Sequence, residues 1–190
     1  LNLQNKRLKF KSLPVNITND DGFSKRNSKL RELSVSGNAL RLFNEQKLLD
    51  LLGHLHDLET LSLANSKLDF VSATVFSNFP KLRVLNLRDN AINVIPEGCF
   101  ESQTILSRLD LSNNKITVIS HRTFGEGLRA RLDVVDLGQN PIMCSCDLLW
   151  FRDWFMADSK LFSVSDPDYQ CHNTLAKTQL ADFTMHQQAC

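Results

Sequence analysis

One pattern, L-x-x-L-x-L-x-x-N-x-L, recurs five times along this chain and leaves few folds open to it. Leu30, Leu33, Val35, Asn38 and Leu40 make one copy, and Leu58, Leu61, Leu63, Ser66 and Leu68 the next. Leu82, Leu85, Leu87, Asn90 and Ile92 follow, then Leu106, Leu109, Leu111, Asn114 and Ile116. Leu132, Val135, Leu137, Asn140 and Ile142 close the series, and a truncated copy opens the chain at Leu1, Leu3, Lys6 and Leu8. Measured at Leu3, Val35, Leu63, Leu87, Leu111 and Leu137, the spacings are 32, 28, 24, 24 and 26 residues. Scattered leucines would not hold that register. A period of this length belongs to a solenoid, in which each unit buries its apolar face only against its neighbours.

Each position of the leucine-rich repeat has a physical task. The L-x-L segment is a short strand whose alternate side chains point inward. Stacked copies predict an α/β fold: a leucine-rich-repeat solenoid with a curved parallel sheet on its concave face. An inward-facing asparagine amide must be hydrogen-bonded, so Asn38, Asn90, Asn114 and Asn140 are expected to form a structural ladder on backbone groups. Ser66 can do part of that work, whereas Lys6 cannot sit there buried, so the first copy is expected to be frayed or covered by an upstream repeat. Val71 and Phe76, Ile95 and Phe100, and Ile119 and Phe124 share a spacing of five, which predicts an aromatic spine under the convex side. Residues 45–53, EQKLLDLLG, have helical periodicity and are expected to end at Gly53. The polar, turn-rich stretch 15–29 reads as an extended convex loop.

Repeats about six in number, the first truncated, account for residues 1–140; residues 141–190 have a different content. A solenoid's last turn exposes its core and needs a cap. DLLWFRDWF (147–155) predicts an amphipathic helix with Asp147 suited to its N-cap. Cys144, Cys146, Cys171 and Cys190 lie in the same segment. C-x-C with two distant single cysteines is a poor match to paired zinc ligands, so no metal or other cofactor is expected and two disulfides are. Cys144 and Cys146 are too close to pair with each other comfortably, which leaves two pairings open. Disulfides imply an oxidising compartment, with which the glycosylation sequon at Asn16 agrees. Cys99, just before Phe100, is left as a free thiol and reads as a small buried hydrophobe.

NPIMCSCDLLWFRDW, followed by Cys171 and Cys190 with 24 and 18 residues between successive cysteines, resembles the C-terminal cap of Toll-like receptor ectodomains. The unequal repeat lengths are similar to that family as well. The resemblance implies the pairing Cys144–Cys171 and Cys146–Cys190. It also implies a glycosylated innate-immune sensor at the extracellular face of the plasma membrane or in the endosomal lumen. Such a sensor binds a microbial lipid, protein or nucleic acid. It forms a receptor homo- or heterodimer near its membrane-proximal cap and is held in the membrane by a transmembrane helix. Since the chain opens inside a repeat at Leu1-Asn2-Leu3, it is expected to be a piece of such a protein, monomeric by itself. Two other readings are an adhesion- or guidance-type cell-surface protein that binds another protein, and a variable lymphocyte receptor-like antigen binder. The 32- and 28-residue spacings argue against the last, whose repeats run at a uniform 24.

No catalytic constellation appears, so the chain is not expected to be an enzyme. Gly125-Glu126-Gly127 is an isolated turn rather than a phosphate loop, and His54, His56, His121, His172 and His186 form no ligand set. Function should then lie on surfaces. Net charge is +1, but residues 1–31 carry eight Lys/Arg against Asp20 and Asp21, while the segment after Pro141 has three basic and six acidic side chains. Arg83, Arg88 and Arg108 are expected on adjacent concave strands, where they could grip an anion or pair with Asp89, Asp110 and Glu59. Asp110 and Asp136 are expected beside them, in an exposed concave column that turns acidic towards the cap.

Overall fold

A computed structural model describes residues 29–158, 160–162, 169–173 and 178–183. Lys6, Asn16, His186 and Cys190, and so the expectations placed on them, lie outside the described residues. Five strands form one parallel sheet in sequence order: β1 Glu32–Ser34, β2 Thr60–Ser62, β3 Val84–Asn86, β4 Arg108–Asp110 and β5 Val134–Asp136. The central residues Leu33, Leu61, Leu85, Leu109 and Val135 are in register and buried. This is a leucine-rich-repeat solenoid, and its core is a single continuous column of leucines, isoleucines, valines and phenylalanines.

Three devices keep the turns stacked. The first continues the sheet one residue beyond each strand: Val35 N–H donates to Ser62 O (3.0 Å), Leu63 to Asn86 O (2.8 Å), Leu87 to Asp110 O (2.8 Å) and Leu111 to Asp136 O (2.7 Å).

The second is the amide ladder. Asn114 Nδ2 donates to Leu111 O of its own turn (2.9 Å) and Leu87 O of the previous one (3.0 Å), while its Oδ1 accepts from Ile92 N (3.1 Å). Asn140 repeats this with Leu137 O, Leu111 O and Ile116 N, and Asn90 with Leu87 O, Leu63 O and the amides of Ser66 and Leu68. Asn38, in the first described turn, bonds Val35 O at 2.6 Å. Ser66 has only its hydroxyl, which reaches Ala64 O at 3.1 Å. The residue before each ladder position is left-handed: Gly37 (φ 74°), Asn65 (50°), Asp89 (57°), Asn113 (51°) and Gln139 (57°). That conformation swings the next side chain inward, and Gly, Asn and Asp tolerate it best.

The third device is aromatic. Phe76 and Phe100 stack with centroids 5.8 Å apart, and Phe124, fully buried at the equivalent place on the next turn, meets Trp154 of the cap at 5.7 Å.

The convex side carries α1 Glu45–Leu52, α2 Ala73–Phe76 and α3 Glu126–Arg129. Asn44 caps α1 by accepting from Lys47 N, and Leu48, Leu51 and Leu52 face the core. Gly53 ends that helix in a right-handed conformation, φ −61°, rather than the left-handed one typical of a terminating glycine. A Cβ there would lie 2.6 Å from Leu49 O, so what the position needs is the missing side chain.

The cap helix departs from its expected bounds. Cys146–Leu148 form a 3-10 turn, and α4 runs Leu149–Ala157. Leu148 occupies the N-cap position, and Asp147 makes no side-chain capping bond. The C-x-C segment holds Asp147 inside the tight turn, one residue too early to reach the helix's free amides.

Candidate partner-binding surfaces and the closed end

The strand register sets the concave face. Its leading column reads Glu32, Thr60, Val84, Arg108, Val134, and its trailing column Ser34, Ser62, Asn86, Asp110, Asp136. The trailing column is structural at its C-terminal end. Asn86 Oδ1 accepts from Arg88 N (3.0 Å), Asp110 Oδ1 from Ser112 N (3.0 Å) and Asp136 Oδ1 from Gly138 N (2.8 Å). The same side-chain turn thus ends three successive strands. Asp136 is buried at 4% exposure, which overturns its expected place on an open acidic surface. Asp110 is half-buried, and its carboxylate also accepts from Ser112 Oγ at 2.6 Å.

The arginines separate in the same way. Arg88 pairs with its neighbour Asp89 at 3.3 Å, and Glu59 pairs with Arg31 at 3.6 Å instead of with a central arginine. Arg83 and Arg108 remain exposed, and neither makes a side-chain ion pair among the described residues. Their backbones meet where Arg108 N donates to Arg83 O at 2.9 Å. Arg108 stands between half-buried Val84 and Val134 in the leading column, and Arg83 immediately precedes β3.

At the other end of the core the last repeat is sealed. Cys144 and Cys171 form a disulfide, and Cys146 is disulfide-bonded too. Cys190, its partner by the implied pairing, is outside the described residues. Val135 N donates to Leu161 O (2.9 Å), and Val135 pairs with Phe162 in a parallel bridge, so the cap supplies a stub of a sixth strand. Leu137 N, which in every earlier turn would find the next repeat's carbonyl, donates to the hydroxyl of Tyr169 at 3.0 Å. Asn173 clamps Cys144 from both sides, accepting from its N–H and donating to its carbonyl at 2.8 Å each. Trp150, Phe151, Trp154, Phe155, Phe162 and Tyr169 make a connected aromatic cluster over this end. The Arg129 guanidinium lies 5.5 Å from the Trp150 ring and 5.9 Å from that of Trp154. Tyr169 and Asn173 carry no repeat signal, because the period stops at residue 142. Only the rule that a terminal turn needs substitute hydrogen-bond partners could have pointed to them.

Cys99 is a free thiol, 1% exposed, and burial pushes its pKa up to about 12. No group of His, Cys, Asp or Glu among the described residues is arranged to hold a metal, and no described helix is long and apolar enough to cross a membrane. His56 Nδ1 lies 3.0 Å from Asn78 O, in a link between neighbouring convex turns.

The leucine rich repeat family model matches residues 49–92 and 80–142. The chain is 34% identical over 118 residues to leucine-rich repeat and fibronectin type-III domain-containing protein 4 of Rattus norvegicus, covering 60% of this chain and 19% of that protein. It is 33% identical over 140 residues to Toll-like receptor 9 of Mus musculus, covering 74% of this chain and 13% of the receptor. It thus spans less than a fifth of either relative. The crystal structure of human trophoblast glycoprotein (Wnt-activated inhibitory factor 1) superimposes with a TM-score of 0.62 at 22% identity, over 77% of this chain and 54% of that one.

Proposed function

Because this chain is a leucine-rich-repeat protein closed at its C-terminal end, we propose that it is the cap-bearing end of an extracellular pattern-recognition receptor of Toll-like type. In this reading it binds a microbial ligand and brings two receptors together beside the cap. The closed end is the observation that carries the reading. A solenoid whose last amide is satisfied by Tyr169, and whose last core layer lies under a disulfide-bonded aromatic cluster, has stopped adding repeats. Such an end is built to meet something other than another repeat, and its disulfides belong to an oxidising compartment.

Two surfaces support recognition. Exposed Arg108, with no side-chain ion pair among the described residues, stands in the leading column of the concave sheet, with exposed Arg83 just before the neighbouring strand. Val94, Val118 and Met143 are exposed at 62%, 67% and 49%, each three or four residues past its ladder asparagine on three successive turns. An apolar row that persists as far as the cap fits a lateral contact with a second receptor. A second reading is an adhesion-type surface protein that binds another protein through its concave face; the relative from Rattus norvegicus joins leucine-rich repeats to a fibronectin type-III domain.

Sequencing the transcript beyond Cys190 separates the two. A transmembrane helix followed by a Toll/interleukin-receptor domain is the expected result. Fibronectin or immunoglobulin modules in its place would sink the receptor reading.

A further inference from the structure

Arg41, Lys67 and Lys115 line one groove of about 500 Å³ on the side of the solenoid that follows the strands. Asp69, Asp89, Asn90, Ala91 and Asn93 complete its wall. The three cations come from three different turns, and none makes a side-chain ion pair or hydrogen bond among the described residues. Arg31, Lys81, Arg88, Arg122 and Arg152 are each paired with a carboxylate, whereas the groove cations share their lack of an ion pair with Arg83 and Arg108. Asp89 brings the groove no free charge, since one oxygen pairs with Arg88 and the other accepts from Asn113 Nδ2 at 2.5 Å. Asp69 alone offsets the three cations, so two positive charges are left over.

A second observation concerns Lys67 itself. Its φ is 59°, a left-handed conformation that a lysine adopts only when its surroundings enforce it. The enforcing group is Asn90, whose Oδ1 accepts from the amides on both sides of Lys67, Ser66 N and Leu68 N, at 3.0 Å each. The following ladder oxygens each accept one such bond, Asn114 from Ile92 and Asn140 from Ile116. The second turn alone therefore bends its backbone around the residue after the ladder position. That residue is a cation on the groove wall.

We propose that this groove is a binding site for a sulfated glycan chain. Cations on the first, second and fourth described turns, with Ala91 at the equivalent place on the third and turns about 4.8 Å apart at the sheet, match a polymer that carries spaced anionic groups better than a single phosphate. The exposed Asn93 amide can hydrogen-bond sugar hydroxyls. No aromatic residue lines the groove, so it lacks the platform on which nucleic-acid bases stack. The site is separate from Arg83 and Arg108 and does not depend on the receptor reading.

The test is binding of the secreted chain to immobilised heparin, with desulfated heparin, inorganic sulfate, duplex RNA and anionic vesicles as comparisons. The variant Arg41→Gln, Lys67→Asn, Lys115→Gln should bind heparin more weakly by about tenfold or more, with an unchanged melting temperature. Lys67→Asn keeps a residue that tolerates the left-handed backbone. Lys81→Gln should bind as the parent does. Asp69→Asn should bind more tightly, a gain that misfolding cannot produce. The proposal is overturned if the triple variant binds heparin undiminished, if Asp69→Asn gains nothing, or if desulfated heparin binds as well as heparin. RNA or vesicles binding in preference to heparin would also overturn it, as would saturation by inorganic sulfate at the same concentration of sulfate groups.

Discussion

Tyr169→Phe isolates the closing hydrogen bond of the solenoid. The ring of Tyr169 packs on Phe155 at 5.1 Å, Phe162 at 5.9 Å and Phe151 at 6.3 Å, and phenylalanine keeps all three contacts. What disappears is the hydroxyl that accepts from Leu137 N at 3.0 Å, in a site where Leu137 is fully buried and Tyr169 is 5% exposed. No repeat follows to offer a carbonyl, as Asp136 O does for Leu111 N one turn earlier. Leaving a buried amide without a partner costs about 1–3 kcal/mol. For a chain of this size a loss of about 2 kcal/mol lowers the melting temperature by roughly 4–8 °C. Thermal unfolding followed by circular dichroism reads the global effect, and native-state hydrogen exchange reads the Leu137 amide directly. Because a solenoid's stability is close to a sum over neighbours, exchange should quicken at Leu137 and in the cap while β2 and β3 stay protected. An unchanged melting temperature together with a still-protected Leu137 amide would show that another group takes the hydrogen, and would refute the reasoning.

Asn114→Ala should be more damaging, by about 3 kcal/mol, because one substitution strands Ile92 N and removes three carbonyl contacts; chemical denaturation measures it, and a loss no larger than that of an exposed asparagine contradicts the ladder's role. Cys99 should resist iodoacetamide in the folded chain at pH 8 and react once the chain is denatured, as mass spectrometry of the alkylated peptides would show. Since its folded pKa is raised to about 12 from an ordinary 9, the thiol's contribution to stability is complete below pH 9 and is lost as pH rises from there towards 12. A Cys99→Ser variant with the same alkaline decline in stability as the parent would contradict that assignment.

The readable and unreadable parts of the chain divide by the range of the interaction responsible. The ladder asparagines, the apolar residues at strand centres and Phe76, Phe100 and Phe124 stand at fixed offsets in most turns, so one repeat predicts the next. The left-handed position was equally visible as Gly37, Asn65, Asp89 and Asn113, residue types that share a tolerance for positive φ, and Gln139 alone hides it. The concave charges were not readable. An aspartate at the end of a strand looks the same whether it faces a ligand or its own next turn. In Asp110 and Asp136 a local amide two residues ahead captures the carboxylate, and Asp136 is buried as well.

Periodicity alone determined the solenoid, its parallel sheet and the need for a cap, because a stacked unit meets the same neighbours at every turn and must repeat the same residues. The three-dimensional arrangement decided what happens where that symmetry ends or is broken. Tyr169 and Asn173 replace hydrogen-bond partners that a further repeat would have supplied. Lys67 turns into a groove because Asn90, more than twenty residues later, holds the amides on both sides of it. Arg83 and Arg108 stay free because Arg31 and Ser112 engage the acids that could have paired with them. Each outcome depends on which distant groups compete for one donor or charge, and that competition leaves no trace in the spacing of residues along the chain.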